Sequence, residues 1–204
     1  MLRYGTTLVE AKSGYGLECE TEMRMLEVIE SARAKHAMET VSTFLVHSIP
    51  EGWTAEAYTE DVLRVQLPEL QRRVQQGSLH VDLVDIFNEI GYFEYPHAKK
   101  ILAAARSAGF NLNFHGDEMK DSSSALLATE LGALAVSHLE SVSTDGLKAL
   151  AQNKGVIALL LPTTSYILNA ELKYARAGEM IDMDIHFSFL SFLPHSIMMD
   201  PSPP

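Results

Sequence analysis

Short apolar, β-branched runs alternate with longer amphipathic runs along most of this 204-residue chain, and nearly every short run ends on a polar or ionisable side chain. The spacing predicts strands over Thr6–Lys12, Val41–His47, His80–Phe87, Phe110–His115, Ala133–Ser137 and Gly155–Leu161. The last of these is almost wholly apolar and so expected to be buried on both faces. Between the strands, helices are predicted over Glu20–Ala34, Ala55–Val74, Pro96–Ala108, Ser122–Leu131 and Thr144–Ala151, with one more around Asn169–Ala177. Thr54 and Thr144 read as N-caps, Pro68 as a kink, and Gly109 and Gly132 as helix stops. Strand–helix alternation calls for parallel strands joined by right-handed crossovers. No G-x-G-x-x-G follows the first strand, which weakens a dinucleotide-binding open sheet. A TIM-barrel-like α/β fold places chemistry at the C-terminal ends of its strands. Those ends carry Lys12 and Tyr15, His47, Glu89, His115 with Glu118, and His138. About six βα units are visible where a full barrel has eight, so the expectation is an incomplete barrel over residues 4–177 followed by a divergent tail, 178–204.

Composition narrows the function classes. With 47% hydrophobic and 21% charged residues the chain falls in the globular range. Its net charge of −11, spread along the chain, supplies no basic face for a phosphate backbone, so no nucleic-acid partner is expected. The single cysteine, Cys19, rules out an internal disulfide and reads as a small hydrophobe at a helix start. Met1–Thr6 has no apolar signal-peptide core, and no run reaches the ~18 apolar residues of a membrane span. The expectation is a cytoplasmic protein with a small-molecule substrate and no membrane partner; homo-oligomerisation is left open.

Four clusters could carry chemistry. In Asn113-Phe114-His115-Gly116-Asp117-Glu118, a strand-end imidazole could ligate a divalent metal. Glu118 could take a proton from a water bound there, and Asp117 could orient either one. The plain alternative is a histidine bonded to its loop beside solvated carboxylates. His138 ends the next strand; adjacent parallel strand ends would put its ring roughly 5–10 Å from His115. His47 ends the second strand and could donate to a substrate carbonyl or carboxylate, or be an ordinary loop histidine. In Lys12-Ser13-Gly14-Tyr15-Gly16, two glycines permit a tight turn that presents the phenol. Lys12 could be a Schiff-base nucleophile if desolvated, or half of a buried ion pair with Asp85 or Glu89.

Together these motifs resemble one known family. Gly5–Leu17, Val46–Pro50, Val81–Phe87, Asn113–Glu118, Ser137–Glu140 and Leu161–Thr164 are similar, in order and near the family's spacing, to segments of imidazolonepropionase, in the amidohydrolase superfamily. The resemblance covers about residues 4 to 175. It implies a distorted TIM barrel that hydrolyses a ring C–N bond of 4-imidazolone-5-propanoate, giving N-formimidoyl-L-glutamate in histidine catabolism. It implies His115 as a ligand of a divalent metal, Zn or Fe, and Glu118 as the acid/base that activates the metal-bound water. It implies His138 as the histidine that helps polarise substrate or water, and Tyr15 and His47 as substrate-binding positions. The family's first-strand His-x-His pair and its eighth-strand metal-binding Asp segment have no counterpart in this chain. The expected product is therefore a partial chain lacking the first and last barrel strands, its first and sixth strands left as open edges. Three readings stay open: a partial hydrolase, a non-catalytic binding or regulatory module derived from the barrel, and a barrel enzyme using Lys12 covalently.

Overall fold

The computed structural model describes residues 1–168 and 175–190. Seven strands form one parallel sheet in chain order: β1 (Leu8–Lys12), β2 (Glu39–Val46), β3 (Leu83–Asn88), β4 (Asn111–Gly116), β5 (Ala135–His138), β6 (Ile157–Leu160) and β7 (Phe187–Phe189). Helices α1 (Cys19–Lys35), α2 (Ala55–Asp61), α3 (Leu67–Gln75), α4 (Tyr95–Ser107), α5 (Ser124–Leu131) and α6 (Thr144–Gln152) fill the crossovers between β1 and β6. The shorter α7 (Pro162–Leu168) and α8 (Ala177–Asp182) follow β6.

The sheet is strongly curled. In a flat sheet, strands three places apart lie about 14 Å apart at ~4.8 Å per step. Here Asn113 Nδ2 on β4 donates to both carboxylate oxygens of Glu10 on β1 at 3.2 Å. Side chains meet across the concave face as they do inside a barrel. The strands alternate accordingly. Thr43, Asp85, Asn113 and His115 face the lumen, while Phe44, Val46, Val84, Ile86, Leu112 and Phe114 face the helices. There they bury against Met23, Leu26, Leu70, Ile101, Leu102 and Leu127. Each such side chain contributes roughly 1.5–3 kcal/mol through burial.

The parallel barrel-like architecture agrees with the sequence reading, and a seventh strand adds to it. Phe187–Phe189 pairs with β6, so the far edge of the described sheet is β7 and not the sixth strand. The β6 strand is also less enclosed than its composition suggested, because Ile157 is exposed and Leu159 half-buried. The run Ala55–Gln75 is broken by a π turn, Val62–Gln66, just before Pro68. Proline has no N–H to bond the carbonyl one turn back and its ring crowds that carbonyl. The turn widens instead, with Leu67 N–H donating to Val62 O. Thr54 caps α2 as expected, its hydroxyl accepting from Ala57 N–H. The α6 cap is Ser143, whose hydroxyl accepts from Gly146 N–H, and not Thr144. Most of the helix expected around Asn169–Ala177 lies outside the described residues. Among the described residues no helix is long and apolar enough to cross a membrane.

Candidate active site

The C-terminal rim of the sheet gathers the five residues to which the family resemblance gives roles: Tyr15, His47, His115, Glu118 and His138. Parallel pairing puts His115 of β4 beside Ser137 of β5, and Gly116 beside His138. The His115 and His138 rings stand 5.3 Å apart, inside the range the strand spacing allowed. On the other flank, His47 approaches His115 edge-on at 6.1 Å and stacks on Phe87 at 4.9 Å. Tyr15 completes the row: its hydroxyl lies 3.4 Å from His47 Nε2.

His138 reaches this rim against strand alternation. Ser137 before it faces the lumen, its hydroxyl bonding Asn113 Oδ1, so the next residue would point to the helix side. The chain instead takes positive φ at His138 (80°) and Leu139 (66°), and the ring stays against His115. Consecutive non-glycine residues in that region are strained, and such strain collects at functional sites.

Below the rim runs a fully paired lumen. Lys12 Nζ bonds Asp85 Oδ2 at 2.7 Å and lies 3.1 Å from Glu10 Oε1. Glu10 also accepts from Thr43 Oγ1 at 2.6 Å. Burial of Lys12 pulls its pKa down, but Asp85 and Glu10 outweigh that and raise it. A lysine held as ammonium is the opposite of a Schiff-base nucleophile, so the covalent reading of Lys12 gives way to the ion pair with Asp85. Burial likewise pushes the fully buried Asp85 up, and His115 and Lys12 more than reverse it, to about 2. Asp85 also accepts from the backbone N–H of His115 at 3.1 Å and lies 2.9 Å from its Nδ1. A carboxylate that takes the Nδ1 proton fixes the tautomer with a free Nε2, the pairing found behind metal-bound histidines.

The loop after β4 is arranged by two other carboxylates. Asp117 was expected to orient His115 or Glu118, and it does neither. Its oxygens accept from the N–H groups of Ser122, Ser124 and Ala125 at 2.8–3.1 Å, capping the start of α5. Glu89 accepts from Met119 and Lys120 N–H and from the Ser122 hydroxyl. Gly116 is required where the two elements touch, because a Cβ there would lie 2.1 Å from the Ser124 side chain. Glu118 is thereby left turned toward the histidines, its carboxylate without a hydrogen bond among the described residues. Its Oε1 lies 3.6 Å from His138 Nδ1, and Glu140 Oε2 lies 3.7 Å from the same nitrogen. Burial, relieved by His115 but reinforced by Glu140 and Glu89, pushes Glu118 up to about 7. Burial, reinforced by the His115 charge, pushes His138 down to about 3, and burial with the same neighbour takes His47 to about 4.

The cluster therefore combines the neutral imidazoles of His47 and His138 with a Glu118 carboxyl pushed up to about 7. Among the described residues no group of three or more His, Cys, Asp or Glu side chains could hold a metal ion. A catalytic metal usually takes three protein ligands, and the described residues do not supply such a set by themselves. Sequence reasoning named the groups that face the rim, and it named Asp85, Glu89 and Asp117 without the roles in which they hold those groups. The role of Asp85 behind His115, and of Glu89 and Asp117 behind the Glu118 loop, left one signal: acids placed where a buried strand or its immediate end should be apolar.

No family model matches the chain. Curated relatives do. A protein named "Probable imidazolonepropionase" from Xenopus tropicalis is 50% identical over 182 residues, 89% of this chain and 41% of that protein. Proteins of the same name from Dictyostelium discoideum (49% over 187 residues, 91% of this chain and 43% of that protein) and Homo sapiens (45% over 183 residues, 89% and 42%) agree. The chain spans about two-fifths of the length of these relatives. Among solved structures, a triazine hydrolase variant superposes with a TM-score of 0.66 at 11% identity, over 94% of this chain and 46% of that one. A guanine deaminase from C. acetobutylicum does so at 0.60 and 10%, over 92% and 46%. An amidohydrolase from Burkhoderia ambifaria with bound Zn gives 0.60 and 13%, over 85% and 47%. By sequence the chain is similar to about two-fifths of proteins named probable imidazolonepropionase, and by fold it is an incomplete barrel like part of these solved structures.

Proposed function

We propose that this rim is the water-activating and substrate-binding portion of an imidazolonepropionase site. The reaction is hydrolysis of a ring C–N bond of 4-imidazolone-5-propanoate to N-formimidoyl-L-glutamate, in histidine catabolism. The observation that carries this reading is Glu118: a buried carboxyl pushed up to about 7, beside two histidines at strand ends. A general acid/base works best when its pKa lies near the operating pH. Glu118 takes a proton from the attacking water and returns it to the departing ring nitrogen. His138, kept neutral, donates to the substrate carbonyl as that step proceeds. Tyr15 and His47, in contact with each other, hold the substrate from the open side of the rim. His115, its Nδ1 committed to Asp85, offers Nε2 as one ligand of a divalent cation, Zn or Fe, which would supply Lewis acidity. The high identity to the named relatives and the metal-dependent hydrolases among the fold neighbours support this assignment.

The test is a graft. The matched stretch of the Xenopus tropicalis relative is replaced by this chain's residues, and loss of substrate absorbance is followed with Zn(II) or Fe(II) supplied. The graft should turn over substrate, and Glu118→Gln within it should be about 10²–10⁴-fold slower. A folded, metal-loaded graft without activity would sink the proposal. Substrate-analogue binding without turnover would point to the binding-module reading.

A further inference from the structure

We propose that Glu22, on α1, is the positioning residue for Tyr15, setting the phenol against His47 by clamping the backbone on both sides of it. This rests on Tyr15 being a substrate contact. Tyr15 is 67% exposed, at the tip of the loop between β1 and α1, and its own side chain has little around it to fix its direction. Its backbone, however, is held from below. Glu22 is 1% exposed, and its carboxylate accepts three backbone N–H groups from that loop. Oε2 takes Gly14 N–H at 2.7 Å; Oε1 takes Gly16 N–H at 2.6 Å and Leu17 N–H at 2.9 Å. No cation pairs with it among the described residues, so backbone dipoles alone stabilise this buried charge, as in the anion-binding nests of other loops.

Three further features press the loop into the same position. A Cβ at Gly14, where φ is +120°, would lie 2.7 Å from Leu45 Cγ, and one at Gly16 would lie 2.8 Å from the Glu22 backbone nitrogen. Only glycines let the loop lie this close to β2 and to the first turn of α1. Leu17 takes a positive φ of 63°, and its carbonyl accepts from Tyr58 Oη at 2.8 Å and from Gln66 Nε2 at 3.4 Å. Gln66 ends the π turn that precedes Pro68, so that irregularity also serves the loop. A connection needs neither a buried carboxylate without a cation nor a strained leucine. Both are accounted for if the loop must hold one side chain at one distance.

The experiment uses the full chain, labelled for NMR. In the unaltered protein the amides of Gly14, Gly16 and Leu17 should exchange slowly and that of Tyr15 quickly, with a clear Tyr15–His47 ring contact. Glu22→Gln keeps the shape but points an NH₂ at a backbone donor. It should leave the core methyl spectrum in place, abolish the ring contact and weaken imidazole-4-propanoate, a stable substrate analogue, about tenfold, the size of one lost hydrogen bond. Gly16→Ala should have the same effect from the opposite side. A folded Glu22→Gln chain that keeps the ring contact and analogue affinity would overturn the proposal. So would fast exchange at all four amides in the unaltered protein, whether or not the variants fold. If the ring contact is present and Tyr15→Phe and Tyr15→Ala leave analogue binding unchanged, it is the substrate role of Tyr15 that fails, and the positioning role of Glu22 stands.

Discussion

The lumen and the rim of this sheet treat buried charge in opposite ways. In the lumen, Glu10, Lys12, Thr43, Asp85 and Asn113 form a closed network in which every charge has a partner of opposite sign or a hydrogen-bond donor. One layer higher, His138 Nδ1 and Glu140 Oε2 are buried without a hydrogen-bond partner among the described residues, and Glu118 Oε1 lies 3.6 Å from that nitrogen. Both regions are water-poor, so the difference lies in pairing and not in depth. Paired groups are locked in their charged forms, Asp85 down to about 2 and Lys12 upward. Unpaired groups are pushed toward their neutral forms, which is the condition for moving protons near pH 7. The paired layer is built to hold and the unpaired layer to exchange.

The change that most damages this division is Asp85→Ala. It leaves the Lys12 ammonium with one carboxylate fewer and removes the acceptor that fixes the His115 tautomer. Breaking a buried pair by removing one partner costs about 3–5 kcal/mol. Denaturant unfolding should show that loss, and an Asp85→Ala chain as stable as the parent would refute the locked-lumen picture. Glu118→Gln should do the reverse. It should slow the graft about 10²–10⁴-fold while leaving stability at pH 7 unchanged or slightly raised, because no hydrogen bond to that carboxylate is lost. A Glu118→Gln chain as unstable as Asp85→Ala would show that Glu118 is structural.

The same division explains what the sequence could and could not disclose. Strand alternation and the polar strand ends made the rim residues legible, because a parallel sheet brings all its C-terminal ends to one side. The Lys12–Asp85 pair was legible as one of two options, since a charge in a buried strand must find a partner. The residues that shape the loops were not. Glu22, Glu89 and Asp117 act on backbone amides, which every residue but proline carries, so no side-chain motif marks their partners. Asp117 was legible as an acid in the right loop, yet whether it faced the histidines or α5 depended on its φ of 53°. The π turn followed from Pro68 only in position; its relief by widening instead of kinking depended on what packs around it. The β7 pairing lay in a stretch where the repeat had faded.

The smallest effect expected is the most discriminating, because it reads the two layers in a single pH series. Consider the chelator-treated chain unfolded by urea between pH 4 and 8. The lumen should contribute almost no slope there. Asp85 has its folded pKa depressed to about 2, so its stabilisation is complete above the unfolded value near 3.9 and is lost only below it. Lys12 is raised above its ordinary value, so its contribution is lost only in alkali. The rim titrates inside the window. His138 is depressed to about 3, so below an unfolded value near 6.5 the unfolded chain takes up a proton that the folded chain refuses, and stability rises with pH up to that point. Glu118 is raised to about 7, so above roughly 4.3 the unfolded chain has lost a proton that the folded chain keeps, and stability falls with pH until about 7. His47, depressed to about 4, adds to the rising slope, and the parent curve is the balance of these opposing contributions. Relative to the parent, His138→Asn should tilt the curve toward a fall with pH and Glu118→Gln toward a rise, with the sign of the difference changing between the two variants. Curves for parent and variants that stay parallel from pH 4 to 8 would mean that the rim groups are as firmly held in one protonation state as the lumen beneath them.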